Sequence, residues 1–286
     1  MRSSFVRLCC AATCGALLWG CGENLSHPTR ANYVGASPQP LTCVPNLDGQ
    51  IDASELQAAV GIPVSYVVSP VGQPRAYDLA GHVDSSGKQV WDLGTDYADD
   101  QLARIQARDV AGAWFAGSFP GGEFAAPADA AGRILAVYKH TDEALFALGL
   151  ASADEHPPEG KTLLVYGAPV ALYRFPLAVG KSWTSVGTVR NGLVQDLPYA
   201  GQDSYQVSVD ASGELVLHDL TFSQVLRVRT TLTTTPAVGA VQVQRQVSFF
   251  FECFGEVARA TSAPNEPNPD FTNAAELRRL SLESPQ

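Results

Sequence analysis

The chain has 286 residues, 45% of them hydrophobic and only 17% charged, with 29 acidic against 19 basic residues and a formal net charge of −10. That length and apolar fraction suffice for a packed core in one large β domain or two smaller ones. The acidity excludes nucleic acid as a partner, since binding phosphates takes basic patches, and it equally excludes docking by charge on anionic lipid.

At the N-terminus, Arg2 and Arg7 flank and precede an uncharged run from Leu8 to Trp19. A bilayer span takes about 20 apolar residues, so this run is too short and reads as an export signal. It closes on Leu18-Trp19-Gly20-Cys21. That tetrapeptide resembles the lipobox of bacterial lipoproteins, in which Leu stands three before the cysteine and Gly or Ala one before it. Trp19 departs from the pattern, where a smaller residue is usual. The resemblance implies a signal peptide over 1–20, cleavage before Cys21 and lipidation of Cys21 with palmitate-type acyl chains. With Gly22 in place of an Asp, it further implies an address at the outer membrane, on its periplasmic or its surface face. Several acyl chains on one residue anchor firmly, each buried methylene contributing about 0.8 kcal/mol. The alternative is an ordinary secretory signal cut after Gly20.

Cys9, Cys10 and Cys14 would leave with the signal, and Cys21 would carry the lipid. Cys43 and Cys253 remain. In an oxidising compartment two leftover cysteines most simply form a disulfide. Closing so long a loop would contribute about 5 kcal/mol in the chain-entropy picture, less any strain. A pair of buried thiols is the alternative.

Residues 21–41, rich in Pro, Ser and Asn, read as a flexible tether. Residues 42–62 form the first ordered unit. Within it, Asn46-Leu47-Asp48-Gly49-Gln50-Ile51-Asp52-Ala53-Ser54-Glu55 resembles the second part of an EF-hand loop. With Gly49 at the sharp turn, that resemblance implies calcium as cofactor. Asn46, Asp48, Gln50 (through its carbonyl), Asp52 and Glu55 would then be the ligands. Val44, however, stands at the first ligand position, and Pro38 and Pro40 forbid a normal incoming helix. The competing reading makes Asp52 a helix N-cap closed by Glu55, with Leu56, Ala59 and Val60 on one apolar face and Gly61 as the stop. On that reading no cofactor is implied.

From 63 to 171 short β-prone runs alternate with Gly/Pro/Ser turns, making a first β-rich unit. Asp92, Asp96, Asp99 and Asp100 cluster there, as a solvated loop or a hard-cation site. The segment from Leu102 to Val110 could be strand or helix. Arg133 to Tyr138 and Ala144 to Ala151 read as a hairpin. Gly160-Lys161-Thr162 and Gly180-Lys181-Ser182 look like ends of phosphate-binding loops. The glycine such a loop requires is replaced by Glu155 and Phe175, so neither qualifies.

Residues 172–286 form the second β-rich unit. Its segment Arg174 to Trp183, with Pro-Leu, Val-Gly and Trp in succession, resembles one found in secreted β-rich bacterial proteins of uncharacterised activity, which implies a β fold and no activity. The plainest strand runs from Val241 to Cys253. Val241, Val243, Val247, Phe249, Phe251 and Cys253 fall on one face, interrupted by Arg245, while Gln242, Gln244, Gln246, Ser248 and Glu252 fall on the other. Arg245 either reaches water from an open edge or lines a cavity and meets an anionic head group. Residues from Glu276 to Leu282 lean to a closing strand.

The expected fold is mainly β, built of antiparallel sheets as a sandwich or half-barrel, in one or two contiguous units with a short N-terminal helix. The five histidines are scattered, and no nucleophile elbow, zinc-protease motif or dinucleotide fingerprint occurs. The leading functional reading is therefore a non-enzymatic, membrane-anchored lipoprotein serving as a structural or binding module of the cell envelope. Its partners would be the membrane, through the N-terminal lipid, and an envelope protein or apolar ligand; the oligomeric state is open. The alternative is a carrier of lipid or another apolar ligand, with a cavity at Trp183, Arg245, Phe249 and Phe251.

Overall fold

The computed structural model describes residues 43–129 and 131–282. The signal segment 1–20, Cys21 and the tether 21–41 lie outside the described residues. In chain order the strands are β1 (Gln50–Ile51), β2 (Pro63–Val68), β3 (Arg75–Ala76), β4 (His82–Val83), β5 (Gln89–Asp92), β6 (Gln101–Gln106), β7 (Arg108–Asp109), β8 (Phe124–Pro127), β9 (Ile134–His140) and β10 (Ala144–Ser152). They continue with β11 (Leu163–Arg174), β12 (Leu177–Ala178), β13 (Ser182–Val194), β14 (Leu197–Val216), β15 (Thr221–Pro236), β16 (Gln242–Phe251), β17 (Gly255–Thr261), β18 (Asn273–Ala274) and β19 (Glu276–Leu280).

One sheet organises them, in the order β6-β2-β19-β17-β16-β15-β14-β13-β11-β10-β9-β8-β7. Its two edge strands, β6 and β7, are separated in sequence only by Ala107. The segment 101–109 thus pairs with β2 through its first half and with β8 through its second. This single bent segment brings the edges together, and the sheet becomes a nearly closed antiparallel barrel. Closure removes the open edges that long strands otherwise expose. The expected boundary at 171/172 falls inside β11, at a register shift of its ladder with β10, which pairs on both sides of it: Phe146 with Ala171 and Leu145 with Tyr173.

Local chemistry sets the hairpins. Gln195 and Asp196 both adopt positive φ, at 52° and 62°. They form the two-residue turn whose twist matches the long β13–β14 pair, with Val194 opposite Leu197. The β9–β10 hairpin joins through 141–143, as the sequence reading expected. The segment left open between strand and helix is strand, as β6 and β7.

The expected N-terminal helix is only a 3-10 turn, Ala53–Glu55. Its start keeps the expected capping box: the Asp52 backbone N–H donates to Glu55 Oε2 at 2.9 Å, and the Glu55 N–H turns back to Asp52. The helix stops because its next acceptor is taken. The Glu55 carbonyl, which would receive the Ala59 N–H in an α-helix, accepts instead from the Cys253 N–H at 2.9 Å. Gly61 N–H then donates to Ala107, leading the chain into β2.

The sheet is covered differently on its two sides. Outside, the excursion 69–100 lies over β14 to β17 and β19. There Trp91 (0% exposed), Leu215, Val247, Phe249, Val257, Ala258, Ala260, Phe271 and Leu277 form the largest core. A second outer core, with Val110, Phe115, Phe119, Leu135 and Val137, is covered by the excursion 110–122. Inside the barrel, apolar packing is concentrated toward one end. Ile51 and Leu177, paired across β1 and β12, meet Val207, Val209, Leu226, Val228 and Phe250. Each fully buried aliphatic side chain of this kind contributes about 1.5–3 kcal/mol.

Candidate functional site

The strand β16 shows how the site is positioned. Its odd residues Val247, Phe249 and Phe251 enter the outer core. Its even residues Gln244, Gln246 and Phe250 point the other way, into the barrel. There they meet residues of β9, β10, β11, β14, β15 and β17 around a cavity of about 340 Å³. Two surface clefts adjoin this cavity, one sharing Gln244 and the other Pro127.

Four tyrosines, Tyr138, Tyr166, Tyr173 and Tyr205, line it together with Gln244, Gln246, Glu256 and Arg259. The tyrosines come from β9, β11 and β14. Tyr166 and Tyr173, seven apart on β11, would face opposite ways in a regular strand, and register shifts in the β10–β11 pair break that alternation so that both line the cavity. The Tyr166 ring lies over Gly187, where an added Cβ would come within 2.5 Å of it. A glycine there lets the ring lie flat against the next strand. Its hydroxyl donates to Asp203 Oδ2 at 2.7 Å and lies 3.1 Å from the Tyr205 hydroxyl. Asp203 takes a second hydroxyl, Thr234 Oγ1, at 2.7 Å on Oδ1. Tyr173 meets Phe250 edge to face, with ring centroids 4.8 Å apart. The hydroxyls of Tyr138 and Tyr173 have no partner among the described residues. Both side chains are deep, yet they keep accessible surface because they face open space. Burial pushes all four phenols above their ordinary range, and for Tyr166 the charges of Tyr205 and Asp203 add to it.

On the β17 wall, Arg259 Nε donates to Glu256 Oε2 at 2.9 Å, and Nη2 lies 2.9 Å from Oε1. Burial draws the Arg259 pKa down, but Glu256 and then Tyr173 outweigh it and hold the guanidinium above its ordinary value. Residues three apart in a regular strand face opposite ways. Here a bulge sets Phe250 opposite Glu256 while Phe249 pairs with Ala258, which turns Glu256 and Arg259 to the same side. Nearby, the Tyr66 hydroxyl donates to the Glu256 carbonyl at 2.9 Å. Arg278 is paired with Glu276 at 3.0 Å.

The cavity expected at Trp183, Arg245, Phe249 and Phe251 is not where the sequence put it. Phe249 and Phe251 are packed on the outer face, Phe249 against Trp91 with centroids 5.1 Å apart. Arg245 is also outward, where Nε donates to the Glu266 carbonyl at 2.9 Å and Nη1 to Thr231 Oγ1. Trp183 packs with the inner apolar end, and its indole N–H donates to the Ala171 carbonyl. The sequence reading took the apolar face of β16 as the one toward a cavity. In the fold the excursion 69–100 fills that face, and the glutamine face looks into open space.

The EF-hand-like loop does something specific. The backbone N–H groups of Asn46 and Leu47 both donate to Glu252 Oε2 at 2.7 Å, and Glu252 is 2% exposed. Asn46 Oδ1 accepts from Asp48 N–H, and Asp48 Oδ1 from Gln50 N–H. Glu55 Oε1 accepts from Asn46 Nδ2 and Oε2 from Asp52 N–H. Gln50 sits in β1 opposite Ala178. Burial, and after it the charges of Glu252, Asp52 and Asp48, raise the Glu55 pKa. The side-chain oxygens of Asn46, Asp48 and Glu55 thus accept from protein N–H donors, and the loop clasps a buried carboxylate. Among the described residues no group of three or more His, Cys, Asp and Glu side chains is placed to hold a metal ion. Beside this clasp, Cys43 and Cys253 are joined, with Cα atoms 5.6 Å apart. In the Asp92–Asp100 cluster, Asp100 is buried between Arg75 and Arg279, and Asp99 pairs with Arg75 at 2.7 Å.

Comparison of the chain with protein-family models, with curated proteins and with solved structures returns no match.

Proposed function

We propose that this protein is a non-enzymatic binding module that receives a small ligand inside its barrel and is held at a membrane by lipid on Cys21. The observation carrying the binding reading is the 340 Å³ cavity walled by four tyrosines and the Glu256–Arg259 pair. Ligand sites are largely apolar clefts with a few convergent polar groups, of about 300–1,000 Å³. This one lies at the small end. It suits a compact molecule and is far too small to enclose a whole diacyl lipid, so the carrier reading narrows to small, partly apolar ligands. Membrane attachment is supported by Leu18 to Cys21 alone, with the outer membrane favoured by Gly22.

Ligand-observed NMR with a panel of neutral, cationic and anionic fragments tests the cavity. Fragments should bind the protein and lose binding to Leu232→Trp or Gln246→Phe, which fill the space. Binding unaffected by either substitution in a folded protein would contradict the reading. For the anchor, Cys21→Ser should release the protein from membranes into the soluble fraction, and undiminished retention would refute lipidation.

A further inference from the structure

The charges around the cavity do not balance, and the imbalance selects a ligand. On the β17 and β19 side each basic group has a carboxylate: Arg259 has Glu256 and Arg278 has Glu276. On the opposite wall Asp203, only 8% exposed, is met by two hydroxyls and by no basic group among the described residues. Those hydroxyls belong to Thr234 and to Tyr166, whose ring lines the cavity together with that of Tyr205. A phenol that donates to a carboxylate gains electron density in its ring, as Tyr166 does, and the Tyr205 hydroxyl lies 3.1 Å from the Tyr166 hydroxyl oxygen. The wall therefore brings two phenol rings to the cavity with an unbalanced carboxylate behind them.

Such a surface attracts a cation through the ring quadrupole and through direct charge, most strongly where water is excluded. It disfavours an anion, which would meet Asp203 while Arg259 is already engaged by Glu256. A hydrated ammonium or metal ion would lose more water on entry than the rings return. An alkylated ammonium is weakly hydrated and matches the apolar lining of Leu150, Leu172 and Leu232. We propose that the ligand carries a compact organic cation of the trialkylammonium kind, seated against Tyr166 and Tyr205, with its polar remainder toward the free hydroxyls of Tyr138 and Tyr173. This rests on the reading of the cavity as a ligand site.

Three molecules of one shape and different charge test it: choline, its neutral carbon isostere 3,3-dimethylbutan-1-ol, and the anion 3,3-dimethylbutyrate. Each is titrated calorimetrically into the full-length protein. Choline should bind about tenfold more tightly than the alcohol, and the acid should bind most weakly. In Asp203→Asn the preference for choline over the alcohol should fall toward unity while the alcohol's affinity is kept. A purely structural role for Asp203 would weaken both alike, which would contradict the charge argument. Tyr166→Phe, which keeps the ring and breaks the link to Asp203, should narrow the preference in the same direction and provides the second variant if Asp203→Asn does not fold. An alcohol that binds as tightly as choline overturns the cation inference and leaves the cavity reading standing. Failure of all three to bind also overturns it, and the fragment panel then decides separately whether the cavity takes any ligand.

Discussion

The two faces of β16 belong to different kinds of interior. The odd face, with Val247, Phe249 and Phe251, is closed over by Trp91, Phe222, Phe271 and Leu277 in a continuous aromatic and aliphatic core. The even face, with Gln244 and Gln246, looks across the barrel to tyrosines of three other strands and leaves open space between. One strand thus separates the part of the molecule that holds the fold together from the part that keeps room for something else. Aromatic packing fills the first. In the second, hydroxyl, amide and ion-paired groups line a volume that the backbone geometry of the barrel keeps open.

That contrast breaks most sharply under truncation. Phe249→Ala should cost about 3–5 kcal/mol, because the removed ring leaves a hole among rigid neighbours. Leu232→Ala, on the cavity wall, should cost less than half as much, since its side chain already borders open space. Comparable losses in urea melts would mean that the interior is as tightly packed as the outer core.

The clasp offers the next test. It carries Ile51 into the inner apolar end, and three features hold it: the Cys43–Cys253 bond, the two N–H bonds to Glu252, and the β1–β12 pair. Replacing both cysteines by alanine should cost about 2–5 kcal/mol. It should also raise hydrogen exchange at Ile51 and Leu177 before exchange rises in the outer core. Uniform exchange through both regions would show that the clasp does not close that end on its own.

Alkaline pH distinguishes the regions more gently. Burial, then the Glu256 charge, pushes the Tyr66 hydroxyl up to about 12. The folded protein therefore keeps this proton where an unfolded phenol, with an ordinary pKa near 10, has lost it. The stability it contributes is complete below about pH 10 and falls away toward about pH 12, by up to about 3 kcal/mol. The tyrosines of the cavity are raised in the same direction and add to the slope. Denaturant midpoints measured from pH 9 upward should fall, with phenolate absorbance appearing late and together with unfolding. Early, reversible phenolate absorbance in the folded protein would contradict the burial of these groups.

Much of the architecture could be read from residues. Alternation from Val241 to Cys253, interrupted at Arg245, gives the strand and its two faces, although the strand ends at Phe251 and Cys253 lies in the turn beyond it at positive φ. Arg133 to Ala151 gives its hairpin. The cysteine count leads to Cys43 and Cys253, which the structure joins. The site was hidden for physical reasons. Gln244 and Gln246 have the polarity of a solvent face, and only barrel closure, through the bent segment at Ala107, turns them inward. Tyr138, Tyr166, Tyr173 and Tyr205 lie on three strands, so nothing local ties them together. Glu256 and Arg259 should face apart and are turned together by a bulge. A paired acid and base in the otherwise apolar strand Gly255–Thr261 was the one signal available, because charges are costly there unless they have a purpose. The helix expected after Asp52 failed similarly. Its signals were local, and the competing bond from Cys253 comes from the far end of the chain.

The most direct test of the central claim, that space is held open inside the barrel while the outer core around Ala258 is filled, is a matched pair of enlarging substitutions followed by denaturant melts. Thr230→Leu adds volume toward the cavity, and Ala258→Leu adds it to the outer core, where Ala258 is 0% exposed. The account predicts that Thr230→Leu changes stability by less than about 1 kcal/mol or raises it, while Ala258→Leu costs about 1–3 kcal/mol through overpacking. Equal destabilisation by the two would contradict it.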